Sequence, residues 1–359
     1  MERISKYQLA AMIILFQIGS TPLFEIGIKV GRDAWLVAIA GMLLGLLLLF
    51  LFLAIQRKEP EKNLSQLLNH YFGSFVGKFV ILVYALWFTY EAMRNLRDFG
   101  DLTLLTILPR GPISLIMLVM LTLSIYAIYK GIEVFFRFAE FILAGVLGFY
   151  FILLIMQLIS GVVYWDNLLP ILENGIQPVF KESLTAVWFP FGQMVIFLMF
   201  WSYLKEKKGL GKTSIRSFFV SGVVIITSNI MNLIVLGPQL AGISTVPLLQ
   251  SVQLIQIAEV FERFDALVIL LFYAGIFIKA TLWYLAAVLG LSQLFNTDYR
   301  RFVLPVGAIM YAASFLPRSW QSHLEFGKIV ADQFKVNLIF IGVIPFILFI
   351  VMLIRGRDK

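Results

Sequence analysis

Two stretches decide how this chain folds: Gly19-Ser20-Thr21-Pro22 and Trp188-Phe189-Pro190-Phe191-Gly192. Each interrupts a hydrophobic run, and they stand about half a chain apart. Proline removes a backbone donor and clashes with the preceding helical turn, while glycine admits dihedrals that other residues avoid. A broken helix at membrane depth persists only where protein or a cavity offers partners to the freed backbone groups. Matched breaks in two halves of a membrane chain therefore point to a binding site of the kind transporters build. Ordinary proline kinks are the competing explanation for either break taken singly.

Composition places the breaks in a membrane. Of 359 residues, 60% are hydrophobic and 14% are charged, with mean hydropathy +0.90. A soluble domain carries about 25% charged residues, and several runs here reach the roughly 20 apolar residues that span a bilayer. The chain reads as an all-α polytopic membrane protein without a separate soluble domain. Cysteine is absent, which excludes disulfides, thiol catalysis and cysteine-held metals. The two histidines, His70 and His323, are far apart in sequence, so no metal site or cofactor is expected. No nucleophile–base set or phosphate loop is apparent, which disfavours an enzyme. The first apolar run lacks a small-residue cleavage site and is read as a span, not a removable signal.

Ten spans are expected, near 8–31, 34–56, 76–108, 112–129, 133–161, 180–204, 214–237, 264–295, 302–317 and 336–354. Residues 63–73 predict a helix lying on the membrane. Asn63 can cap it, Leu64, Leu67, Leu68 and Tyr71 share one face, and Gly73 can end it. Residues 246–262 predict a second surface helix, and Trp320–Phe334 a short amphipathic piece. The basic residues test this count. With the N-terminus inside, 18 of the 29 Lys and Arg fall on the cytoplasmic side, 8 on the other and 3 within spans. That bias fits both termini being cytoplasmic. The net charge of +8 thus follows topology, and no nucleic-acid partner is expected.

The halves share a plan: a broken first span, a surface helix between the second and third spans, and an ionisable residue in mid-span (Glu91 and Lys279). Five spans per half makes the second half inverted, a 5+5 inverted repeat with broken helices 1 and 6. The division is residues 1–161, a connecting segment 162–179, and residues 180–359.

The opening Ile4-Ser5-Lys6-Tyr7-Gln8-Leu9, leading to Phe16-Gln17-Ile18-Gly19-Ser20, resembles the B-subunit family of endospore germinant receptors, the spore germination permeases. Length and span layout resemble it too. The resemblance implies a sodium-symporter-like fold within the amino acid–polyamine–organocation superfamily. It implies a receptor for a small-molecule germinant, often an amino acid, in the inner membrane of the spore. Implied partners, besides membrane lipids, are an A subunit and a lipoprotein C subunit. A secondary amino-acid permease is the alternative.

Several residues are candidates for the site. Unwound backbone at Gly19, Ser20 and Thr21 would expose N–H groups that, with an adjoining half-helix N-terminus, suit a carboxylate. In the fold resembled, the matching break binds the amino-acid backbone. Phe189, Phe191 and Gly192 at the second break are candidate pocket walls. Tyr90, Glu91, Arg94, Arg97, Asp98 and Asp101 can pair along one helix as Glu91/Arg94, Arg94/Asp98 and Arg97/Asp101. Charges inside a membrane face a cavity or a partner, so Glu91 is either a ligand- or ion-coupling group or part of a structural ladder. Lys279 is expected to meet Glu91 or a carbonyl at the first break, where a fixed cation would replace a sodium ion. Snorkelling to an interface is its alternative. Thr281 and Tyr284 are candidate lining groups nearby.

Overall fold

The computed structural model describes residues 2–255 and 265–355. Among the described residues the regular elements are helices, and the β structure is a single parallel bridge between Ile4 and Leu204. The helices are α1 (Lys6–Ile18), α2 (Ala34–Lys58), α3 (Leu64–Phe72), α4 (Ser74–Thr106), α5 (Ile113–Lys130), α6 (Ile132–Ile159) and α7 (Ile176–Trp188). They continue as α8 (Leu210–Ile243), α9 (Pro247–Gln253), α10 (Asp265–Phe295), α11 (Arg300–Ala313), α12 (Trp320–Lys328) and α13 (Ile344–Arg355).

Eight described segments are long and apolar enough to cross a bilayer. Two expected spans are shorter. The helix α1 has 13 residues because the break at Gly19 cuts it, and α11 has 14 because the chain turns at Ser314 rather than running on to 317. The break does not restart as a half-helix. A single 3₁₀ turn, Thr21–Leu23, leads to extended Phe24 and then to a second 3₁₀ stretch, Ile28–Asp33. After Pro190 the chain likewise winds as 3₁₀ helix, Phe191–Met199. The seventh span overruns its expected end: α8 passes Gly237, left-handed at φ 72, and continues to Ile243. Part of the second expected surface helix appears as α9; residues 256–262 lie outside the described residues.

The surface helix α3 forms for the reasons its sequence suggests. The Asn63 side chain accepts from Gln66 N at 3.1 Å, and Gln66 Oε1 accepts from Asn63 N at 3.0 Å. Leu64, Leu67 and Leu68 are buried against the bundle. Removing such a cap costs about 1 kcal/mol. The Asn63→Ala variant is therefore expected to unfold roughly 2 °C lower than wild type in detergent. An unchanged midpoint would mean that packing alone holds α3.

Both faces of the bundle are tied. On the face rich in Lys and Arg, the N-terminal segment is pinned: Ile4 N donates to Tyr203 O and Lys205 N to Ile4 O, each at 3.0 Å. Glu2 Oε2 accepts from Ile132 N at 2.9 Å, which caps α6. On the far face, Arg97 of α4 donates to Ser314 O and Pro317 O at 3.0 and 2.8 Å. Between these faces, α4 packs on α10 through an aromatic nest. Trp87 lies 5.2 Å from Trp283 and stacks on Phe340 at 4.9 Å, and the Tyr84 hydroxyl donates to Phe340 O at 2.6 Å. Each such ring pair adds about 0.5–1.5 kcal/mol beyond area burial.

Candidate ligand site

The two breaks meet at Lys279. This side chain, midway along α10, is fully buried. Its Nζ stands 5.5 Å from the centre of the Phe16 ring and 4.8 Å from that of Phe189. A ring face attracts a cation by its quadrupole, so spans 1, 6 and 8 converge on one ammonium group. Among the described residues Lys279 Nζ has no hydrogen bond and no ion pair. Trp283 Nε1, one turn further along α10, is also buried and unpartnered, as are both amide atoms of Gln17 on α1.

Glycine explains how α10 comes so close. A Cβ at Gly275 would stand 2.7 Å from Gly19 O, and one at Gly19 would stand 2.8 Å from Lys279 Cδ. The space beside Gly19 is thus filled by the Lys279 stem. The Gly19 N–H is also engaged, donating to Leu15 O at 2.8 Å. The N–H groups of Ser20 and Thr21 have no backbone partner among the described residues. The Thr21 hydroxyl donates to Gln17 O at 2.6 Å, and Ser20 is buried beside it.

The charged side of α4 departs from its expected ladder. Arg97 does pair with Asp101, at 2.6 Å. Neither Glu91/Arg94 nor Arg94/Asp98 forms an ion pair among the described residues. Instead α12 lies across the far end of α4, and Asp98 Oδ1 takes His323 Nε2 at 2.8 Å. The Arg94 guanidinium abuts Gly327, where no side chain stands, and the Tyr90 ring meets Phe326 at 6.0 Å. Glu91 is 7% exposed and does not touch Lys279.

The remaining candidates face elsewhere. Phe191 packs edge-on against Phe218 at 5.7 Å. Gly192 sits against Val187 O and Ile341. The Thr281 hydroxyl bonds Ser124 of α5 at 2.8 Å, and Tyr284 donates to Val303 O of α11. At the second break it is therefore Phe189, not Phe191, that turns to Lys279. An aromatic column, not foreseen from sequence, covers the site from the far face. Trp320 of α12 stacks on Phe24 at 6.4 Å, and Phe24 meets Phe189 at 5.8 Å. The amphipathic pattern of α12 was visible, but no local signal says where such a helix docks.

Residues 3–322 match the family described as spore germination protein. Over 360 aligned residues the chain is 33% identical to spore germination protein KB of Bacillus subtilis (strain 168), covering 99% of this chain and 96% of that protein. The chain belongs to the spore germination protein family. Spore germination protein YndE of the same organism is 21% identical, covering 91% of this chain and 89% of YndE. Membership makes the chain a multi-pass membrane protein related to germinant-receptor B subunits, and not an enzyme.

Two solved structures share its fold. One is Mhp1, a nucleobase-cation-symport-1 family transporter in a closed conformation with bromovinylhydantoin bound. It aligns with TM-score 0.66 at 12% identity, over 95% of this chain and 78% of that one. The other is MhsT in complex with L-phenylalanine, with TM-score 0.63 at 13% identity, over 98% and 89%. The spore germination protein thus has the sodium-symporter-like fold of these transporters.

Proposed function

We propose that this chain is the ligand-sensing subunit of a germinant receptor and binds an amino acid or similar zwitterion between its two breaks. One observation carries this reading: a fully buried ammonium group, Lys279, meets both breaks and has no anion beside it. A lone charge in a membrane is costly unless it is paired. A ligand carboxylate would supply the missing anion, and Glu91, across the gap on α4, would face the ligand's ammonium. The unpaired N–H groups of Ser20 and Thr21 suit the same carboxylate. Because Lys279 is itself a fixed cation at the break, binding would need no sodium ion.

The basic face is the cytoplasmic one under the positive-inside rule, with the chain in the inner membrane of the spore. Residues 1–161 and 180–359 act as the two repeats, and a shift between their packings passes the signal to A and C subunits. The transporter fold also favours a second reading, a permease that releases ligand on the cytoplasmic side. Uptake of labelled amino acid into liposomes by this chain alone would establish that reading instead.

The test is a thermal-shift screen of amino acids on the purified chain in sodium-free buffer. A ligand at 100 times its Kd stabilises by about 2.7 kcal/mol. The expected result is a sodium-independent shift that is lost in Lys279→Ala. A full shift in that variant, or one that requires sodium, would sink the role given to Lys279.

A further inference from the structure

A polar chain crosses the bundle apart from Lys279 and ends on a carboxylate. Gln157 Nε2 of α6 donates to Ser251 Oγ of α9 at 3.0 Å. Ser251 Oγ donates to Asn232 Oδ1 of α8 at 3.1 Å. Asn232 Nδ2 donates to Glu25 Oε2 at 2.8 Å. Glu25 lies in the segment just past the first break. Its neighbour is held to the same face of α8, where Asn229 Nδ2 donates to Ile26 O at 2.9 Å. Side chains thus join four separate elements, and the series ends on Glu25.

Among the described residues no cation pairs with that carboxylate. Glu25 Oε1 is shut from solvent and has no hydrogen-bond partner among the described residues. The one polar side chain bonded to it among those residues is Asn232 of α8; Asn229 holds Ile26 O, and Ser251 of α9 meets Asn232. The charged groups on its own segment are engaged elsewhere. Lys29 pairs with Glu182 at 3.1 Å, Arg32 donates to Leu169 O, and Asp33 Oδ1 accepts from Leu172 N at 2.9 Å. An ionised carboxylate with one donor and no cation is far costlier to bury than a neutral carboxyl with one atom unpaired.

We propose that Glu25 is a proton-binding site, protonated in this conformation, whose neutral form lets the segment beyond the first break stay bonded to α8 through Asn232 and Asn229. Releasing the proton to water would leave a bare carboxylate among amides. Its hydration then favours moving that segment away from Asn229 and Asn232. The inference is independent of which molecule occupies the site at Lys279.

The test follows the thermal unfolding midpoint of the purified full chain from about pH 5 to about pH 8, without and with sodium chloride at constant ionic strength. Wild type, Glu25→Gln and Glu25→Met are compared. The expected result is that the wild-type midpoint falls with rising pH more steeply than in either variant, by roughly 2 °C per pH unit, whatever the sodium concentration. Equal slopes in wild type and variants would overturn the proposal. So would sodium abolishing the wild-type slope, which makes the site one for a metal cation. Glutamine closely matches a neutral glutamic acid in shape and charge, so failure of both variants to fold would also count against it.

Discussion

Replacing Gly275 with valine is expected to separate α10 from the break in α1 and to abolish ligand-induced stabilisation. The Cβ of any larger residue there would stand 2.7 Å from Gly19 O and 2.9 Å from Gly19 Cα. Both are backbone atoms, so no rotamer change relieves the overlap and a helix must move. Overpacking of this kind costs about 1–3 kcal/mol. The movement also withdraws Lys279, one turn further on, from Phe16 and Phe189. Gly19→Ala should be milder, because its closest neighbour is the Cδ of a flexible lysine stem, at 2.8 Å. Thermal midpoints and ligand-induced shifts of both variants check this order. A Gly275→Val protein with a wild-type midpoint and a wild-type shift would show that the contact of α1 with α10 does not shape the site.

Arg97→Ala is expected to be among the most destabilising single changes outside the breaks. Arg97 and Asp101 are only 6% and 7% exposed in their side chains. The guanidinium also holds Ser314 O and Pro317 O at the end of α11. Removing it leaves a buried carboxylate and two carbonyls without donors, a loss of about 3–5 kcal/mol. Arg137–Glu133 is the contrasting pair. Its separation is 2.8 Å, but its side chains are 67% and 43% exposed. Such a pair contributes about 0–1 kcal/mol, so Arg137→Ala should leave the midpoint within roughly 2 °C of wild type. Similar losses in the two variants would mean that burial does not set the strength of these pairs.

Much of the architecture was legible because the bilayer enforces simple rules. Apolar length and the two proline-containing breaks located the eight segments long enough to span, and Asn63 and Gly73 bounded α3 correctly. Lys279 stood out because a lone lysine in an apolar run demands an explanation. Its surroundings were not legible. The expected partner was Glu91 or a carbonyl, yet Nζ has no hydrogen-bond partner among the described residues and lies over the rings of Phe16 and Phe189.

Composition cannot separate Phe189 from Phe191. Only the backbone path through Pro190 sends the first to Lys279 and the second to Phe218. Asp98 and His323 are 225 residues apart, so spacing along one helix favoured Arg94 as the partner of Asp98. The Gln157–Ser251–Asn232–Glu25 series draws one residue from each of four elements and leaves no local pattern at all.

The most direct test of the central claim is an electron-cryomicroscopy map of the purified chain with the amino acid that gives the largest thermal shift. The account predicts ligand density at Lys279 Nζ, bordered by Ser20 and Thr21, by Phe189 and by Glu91. Density elsewhere would contradict it, for instance in the cavity of about 370 Å³ on the basic face lined by Glu2, Arg3 and Tyr203.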